Sequence, residues 1–434
     1  EIRTVGKVIE DMSLKNRKLF PYAKDSSYSD QEPEQSETEQ NQQEEDDKKP
    51  KPPTTWKKIL VRTVTAFALI GLYLCLILSG HLYCILAMVI TQTELYRELV
   101  NVRYVEAKER QMPWFRTLQW AWFFVPMIFV YGETLHKFCM EHKSLFYLTA
   151  MTKHLPNFVF LMYCALFIFS VLTLRKGIMR FQLSQFMWSV VTVCIVVFQC
   201  KFFASNTLKG LFWFWFPMAT VVMNDVSAYF CGITFGKKFT KAPFLALSPN
   251  KTWEGFIGAF LLTMIFSFYF PALLAQFSWL VCPADGLYIW PFPPPLSCEP
   301  NPVFVLTNVK LPLFGDVLLY PIQLHGLWYG LFASLVAPFG GFFASAIKRA
   351  YRLKDFDSFF PGHGGMMDRM DCQLLMITFT SFYYFNFIAS KAQSVDKMLY
   401  YLSTMTNADK VTLWQELGRQ LANDGLSTAV STGQ

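Results

Sequence analysis

Charge is what this chain has least of. Asp, Glu, Lys and Arg make up 16% of its 434 residues, where soluble proteins carry about 25%. A surface so poor in charge cannot face water over most of its area, which excludes a set of soluble domains. Whole-chain disorder, collagen and coiled coil are excluded too, because 53% of the residues are hydrophobic and 17% aromatic. The ten cysteines form no disulfide scaffold: most lie in or beside apolar runs, where cysteine behaves as a small hydrophobe. No apolar stretch precedes residue 59, so no cleavable signal peptide is expected and the first span should insert as an anchor. The Gly-x-x-x-x-Gly-Lys spacing of a phosphate loop is absent. So is any Ser/His/Asp or Cys/His arrangement. His81, His136, His142, His154 and His325 show no metal-ligand spacing.

What is present is apolar sequence in lengths that cross roughly 30 Å of hydrocarbon. Runs near 59–78, 82–100, 115–131, 157–174, 184–203, 211–231, 255–276, 327–348 and 372–391 predict about nine spans. The fold class expected is all-α, a polytopic transmembrane helical bundle. Residues 1–55 read as a disordered acidic tail, 56–391 as the membrane domain with an insert at 277–326, and 392–434 as a C-terminal tail. The net charge of +7 divides unevenly: residues 1–47 carry −7 and the rest +14. Counted on alternate sides of the spans, Lys and Arg number 23 against 6. The richer side is therefore expected to be cytoplasmic. The 277–326 insert then lies on the far side, where Cys282 and Cys298 either pair, if the compartment is oxidising, or stay free. The nine-span register also puts the C-terminal tail on that side.

Charged residues in or beside a span are costly and mark functional sites. The densest cluster runs from Ser345 to Asp371. Lys348 and Arg352 share a face at the end of the eighth helix, beside Arg349, and Lys354-Asp355 close it. Pro361-Gly362-His363-Gly364-Gly365 then forms a loop whose N–H groups can approach phosphate just before a helix start. Asp368 and Asp371 project from the first turn of the ninth helix. Two carboxylates facing a cationic, glycine-rich loop suit a divalent metal with phosphate. A basic juxtamembrane patch that only binds anionic lipid is the plain alternative, but it needs neither His-Gly-Gly nor paired aspartates. A second cluster is Asn224-Asp225 amid aromatic and aliphatic neighbours, either a helix-packing pair or a carboxylate on a shared cation. In a third, Ser248, Lys251 and Thr252 open the seventh helix as an anion cradle or an ordinary N-cap.

Ser345-x-x-Lys348-Arg349-x4-Lys354-Asp355-x5-Pro361-Gly362-His363-Gly364-Gly365-x-x-Asp368-Arg369-x-Asp371 resembles the signature of the phosphatidate cytidylyltransferases, also called CDP-diacylglycerol synthases. Asp225-x-x-Ala228-Tyr229-x-x-Gly232 and Ser248-Pro249-x-Lys251-Thr252-Trp253-Glu254-Gly255 extend the likeness over residues 59–391. The insert and the acidic tail look like the eukaryotic branch of the endoplasmic reticulum membrane. The resemblance implies that CTP and phosphatidic acid give CDP-diacylglycerol and pyrophosphate at a cytosol-facing site in the bilayer. Magnesium would be the cofactor, with room for a second cation, held by Asp225, Asp368 and Asp371. Lys348, Arg349, Lys354, Asp355 and His363 would join Asp368 and Asp371 in catalysis. Asn224, Ser248, Lys251, Thr252, Arg352, Gly362, Gly364, Gly365 and Arg369 would bind nucleotide and phosphate. A homodimer is the family-level expectation, and no nucleic-acid partner is expected. The bacterial members carry Gly-Asp where this chain has Gly340-Gly341, so Gly341 offers no ligand and Asp225 becomes the candidate replacement. A CTP-dependent polyisoprenol kinase and a non-enzymatic transporter or lipid-binding protein are the alternatives.

Overall fold

The computed structural model describes residues 56–104, 114–238, 251–284, 298–311, 315–357, 364–389 and 405–423, with a few single positions between them. The expected acidic tail, Ser248, Gly362, His363 and most of the C-terminal tail lie outside the described residues. The chain divides at Leu60/Val61 into two units, and apart from residues 56–60 at the start of the first helix everything below concerns the second.

Each of the nine apolar runs coincides with a helix. They are α1 (Trp56–Ser79), α2 (His81–Asn101), α3 (Phe115–Glu141), α4 (Leu155–Leu172), α5 (Met179–Leu208), α6 (Phe212–Phe235), α7 (Trp253–Leu274), α8 (Pro321–Leu335), α9 (Pro338–Ala350) and α10 (Met367–Tyr383). The eighth run supplies two of them: α8 and α9 form one continuous 30-residue stretch. Pro338, at the first position of α9, starts a new helix because it has no N–H to donate backwards. A later helix, α11 (Asn407–Asn423), is polar on balance. Among the described residues, five stretches are long and apolar enough to cross a membrane: α4, α5, α6, α7 and α8 with α9. By that measure this is a helical membrane protein. α2 bends the pattern, because Glu94, Arg97 and Glu98 occupy its last two turns.

The all-α expectation gains one addition in the insert. Thr307–Leu311 and Gly315–Leu319 pair antiparallel, with Val309 opposite Val317. β-Branched residues in short alternating runs favour this pairing. Cys282 and Cys298, left open by the sequence, are joined in a disulfide.

Where lipid surrounds helices, burial alone gives little association, and buried hydrogen bonds and close packing hold them together. Tyr96 on α2 donates to the Gln119 carbonyl on α3 at 2.7 Å, and Ser189 on α5 donates to the Gln119 side chain at 2.8 Å. A π-helical turn at Cys194–Phe198 interrupts α5, and Gln92 donates to the Val196 carbonyl there at 3.2 Å. α10 is tied in from two sides: Asn206 donates to the Ile377 carbonyl and Gln373 to the Met218 carbonyl. α9 reaches α10 through Gly340, where any Cβ would run into the Asp371 carbonyl oxygen. Replacing Gly340 with valine should therefore push the two helices apart. We expect a loss of about 1–3 kcal/mol, typical of overpacking, seen as a lower melting temperature in detergent; an unchanged melt would show that α9 need not approach so closely.

Candidate functional site

The site is built where α9 ends, turns, and gives way to α10. Lys348 lies in the last turn of α9, and its Nζ meets Asp368 Oδ1 at 2.5 Å. The two side chains are only 17% and 9% exposed, so each charge depends on the other. The second oxygen of Asp368 accepts from the N–H of Phe356 at 3.3 Å and of Gly365 at 3.2 Å. One carboxylate thereby joins the end of α9, the turn after it and the start of α10.

A second carboxylate completes that start. Glu98 on α2 is fully buried. It accepts from Met366 N at 2.7 Å and Met367 N at 2.8 Å. The first N–H groups of a helix have no partner within it, and here Asp368 and Glu98 supply three of the bonds. An acid at this end also complements the helix dipole. Gly365 is required by the fit: a Cβ there would sit 2.8 Å from Glu98 Oε2 and 3.0 Å from the Asp357 N–H. Gly364 adopts φ 82°, and a side chain on it would press between Asp355 and Asp368. Beside Glu98, Arg97 pairs with Asp357 at 3.1 Å and with Glu94 at 2.8 Å.

The other predicted residues divide into an open group and a packed group. Arg349, Arg352, Lys354, Asp355 and Arg369 are exposed around the turn. Asp225 is accessible on α6, and it shares electrostatic interactions with Asp371 on α10, Lys251 and Arg369. Lys251 and Lys348 act on Asp371 in turn. Lys251 Nζ also stands 4.3 Å over the ring of Phe342. Asn224 belongs to the packed group: it is buried, and its side-chain oxygen accepts from Thr263 on α7 at 3.3 Å. Thr252 serves as the N-cap of α7, accepting from Gly255 N at 3.2 Å. The amide of Gly365, expected at a phosphate, donates to Asp368 instead, because the helix start is already served by protein carboxylates.

Asp368 and Asp371 share the first turn of α10 but look to different partners. Among the described residues, no three His, Cys, Asp or Glu side chains converge to hold a metal by themselves. A set of two still fits magnesium, which binds through one or two carboxylates and completes its shell with phosphate oxygens and water. Asp225 and Asp371 are like charges on different helices, close enough to interact, and are the two carboxylates that could hold such an ion. Gly341 lies beside Asp371, since a Cβ there would be 3.3 Å from Asp371 Oδ2. Asp368, with both oxygens engaged, is less free to ligate.

Residues 60–387 match the model of the cytidylyltransferase family. The chain belongs to that family. It is 36% identical over 386 residues to phosphatidate cytidylyltransferase 1 of Arabidopsis thaliana, covering 86% of this chain and 89% of that protein. It is 36% identical over 381 residues to the phosphatidate cytidylyltransferase of Saccharomyces cerevisiae, covering 85% and 82%. With phosphatidate cytidylyltransferase 1 of Homo sapiens the identity is 34% over 387 residues, covering 86% and 81%.

Glu98 was not among the residues the sequence singled out. Its signal was available: three charges within five positions at the end of an apolar run, with Glu94 and Glu98 one helical turn apart. In Glu98→Gln an amide NH2 would face one of the two backbone N–H groups. Turnover should fall about tenfold or more as the start of α10 loosens, while the protein still elutes as a folded species; wild-type kinetics would remove Glu98 from the site's support. Lys348→Met should cost about 3–5 kcal/mol by stranding Asp368. The double variant Lys348→Met/Asp368→Asn should recover part of that loss in a thermal melt.

Proposed function

We propose that this chain transfers the cytidylyl group of CTP to phosphatidic acid, forming CDP-diacylglycerol and releasing pyrophosphate. Membership of the cytidylyltransferase family and the names of its relatives support this substrate pair. The observation that carries the chemistry is the electrostatic coupling of Asp225 and Asp371 from separate helices, with Lys251 acting on both.

In the reaction a phosphatidate oxygen bonds to the α-phosphorus of CTP, and the bond from that phosphorus to the bridging oxygen breaks. The attacking phosphate is already ionised near neutral pH, so no protein nucleophile is required. Catalysis then consists of positioning and charge neutralisation. Magnesium held by Asp225 and Asp371 would supply neutralising charge to the triphosphate. Lys251 and Arg369 border that pair and add positive charge. Arg349, Arg352 and Lys354 lie open beside the turn, suited to the lipid phosphate and the departing pyrophosphate. Lys348 is held by Asp368 and acts from beneath. Ser248, Gly362 and His363 retain the phosphate-binding roles that the resemblance implies.

The reading places the chain in the endoplasmic reticulum membrane with the site facing the cytosol. The 23-to-6 distribution of basic residues supports that orientation. So does the Cys282–Cys298 disulfide, which suits an oxidising lumen on the other side.

Labelled CTP tests the reaction directly. Purified protein with magnesium and phosphatidic acid should carry cytidine label into lipid. Transfer of the γ-phosphate alone would mean a lipid kinase, and no transfer would refute both. Asp225→Asn and Asp371→Asn should each lower kcat/KM by roughly a hundredfold or more. Near-normal turnover in either variant would remove that residue from the reaction.

A further inference from the structure

Away from the catalytic turn, a cavity of about 260 Å³ lies between α3, α4 and α5. None of its lining residues belongs to α2, α6, α7, α9 or α10, the helices that carry the site described above. Its walls are largely apolar, and the lip residues Val171, Leu183 and Met187 are exposed on the outer surface of the bundle. It therefore opens sideways toward the surrounding lipid.

One polar side chain in this cavity is unlike its neighbours. Gln119 accepts from Tyr96 and Ser189. Gln182 accepts from the N–H of Arg175 and donates to the Thr173 carbonyl. Ser170 accepts from Trp122 and donates to the Leu166 carbonyl. Gln185 is 2% exposed and lines the same space, yet among the described residues neither its amide nitrogen nor its amide oxygen has a hydrogen-bond partner. An unpaired buried amide costs on the order of 1–3 kcal/mol. The other polar side chains of the wall are served by protein partners, so a single unpaired amide is left to hold water there. A chain that is mostly hydrocarbon with one polar linkage suits it better.

The mouth has a charge preference as well. The α4–α5 turn that borders the cavity carries Arg175 and Lys176, and the first turn of α5 carries Arg180, all exposed. No Asp or Glu occurs between Glu141 and Asp225. Basic residues at a bilayer surface favour anionic lipid, each by about 1 kcal/mol.

We propose that this cavity is an accessory site for a non-reacting anionic glycerophospholipid of the surrounding bilayer. One acyl chain fills the apolar space, the ester carbonyl accepts from the Gln185 amide, and the headgroup phosphate lies at Arg175, Lys176 and Arg180. The site is distinct from the one that takes phosphatidate for reaction, because it shares no lining residue with the catalytic group.

Full-length protein in nanodiscs can be photolabelled with phosphatidylserine bearing a diazirine in its acyl chain, and in parallel with the matching phosphatidylcholine. Adducts from the serine lipid should concentrate on the segments 167–174 and 182–187, exceeding those from the choline lipid there by about fivefold. Gln185→Leu and, independently, Met187→Trp should each reduce that labelling several-fold, with cytidylyl transfer measured alongside to show an intact fold. Changing Arg175, Lys176 and Arg180 together to glutamine should abolish the preference for serine over choline. Equal labelling by the two lipids, adducts spread evenly over all outward helices, or indifference to both cavity variants would overturn the proposal. So would labelling of these segments by a phosphatidate analogue but not by the serine lipid, which would make the cavity a store of substrate.

Discussion

A carboxylate removed from water must find cations or N–H donors. In this molecule that requirement, applied to Asp368 and Glu98, organises the whole catalytic end. Asp368 draws Lys348 from α9 and two backbone N–H groups from the turn and the start of α10. Glu98 draws the next two N–H groups of α10 onto α2. Three helices and the turn between two of them are thereby locked by two side chains. Because these bonds come from several directions, they fix where α10 begins. Asp371, one turn further on, is carried with it to Asp225.

The same arrangement explains how an anionic site is kept at the edge of hydrocarbon. Asp225 and Asp371 repel each other, a costly pairing in a low-dielectric setting unless positive charge is supplied. Lys251 and Arg369 supply part of it from the polar ends of α7 and α10. Under the proposed function, the remaining demand would be met by a cation bound with the triphosphate. Buried and exposed charges are thus separated: Lys348, Asp368 and Glu98 are turned inward, whereas Arg349, Arg352 and Lys354 face outward.

How far this was legible in the sequence depended on distance along the chain. All nine apolar runs became helices, because hydrocarbon-length segments have few other ways to satisfy their backbone. The cluster from Lys348 to Asp371 was legible because its members lie within one short stretch. Glu98 stands 268 positions before Met366, to which it is bonded. No local pattern can announce such a pairing, and an acid near a helix end reads equally well as solvated. Asn224 shows the converse. Its place beside Asp225 suggested a shared ligand role, but adjacent residues on a helix point about 100° apart, and Asn224 turns to Thr263 while Asp225 stays accessible.

Gly340-Gly341 shows why a missing carboxylate need not mean a missing function. Gly340 lets the backbone of α9 touch that of α10 at Asp371, an approach that any side chain would block. Gly341 leaves open the space directly beside the Asp371 carboxylate, 3.3 Å from where a Cβ would lie. An aspartate at that position would crowd a second carboxylate against Asp371. With glycine there, Asp371 keeps one open side. The close packing of α9 on α10 therefore sets how much room stands beside that carboxylate, and a second acid reaches it from α6, on a helix that does not have to make the same approach.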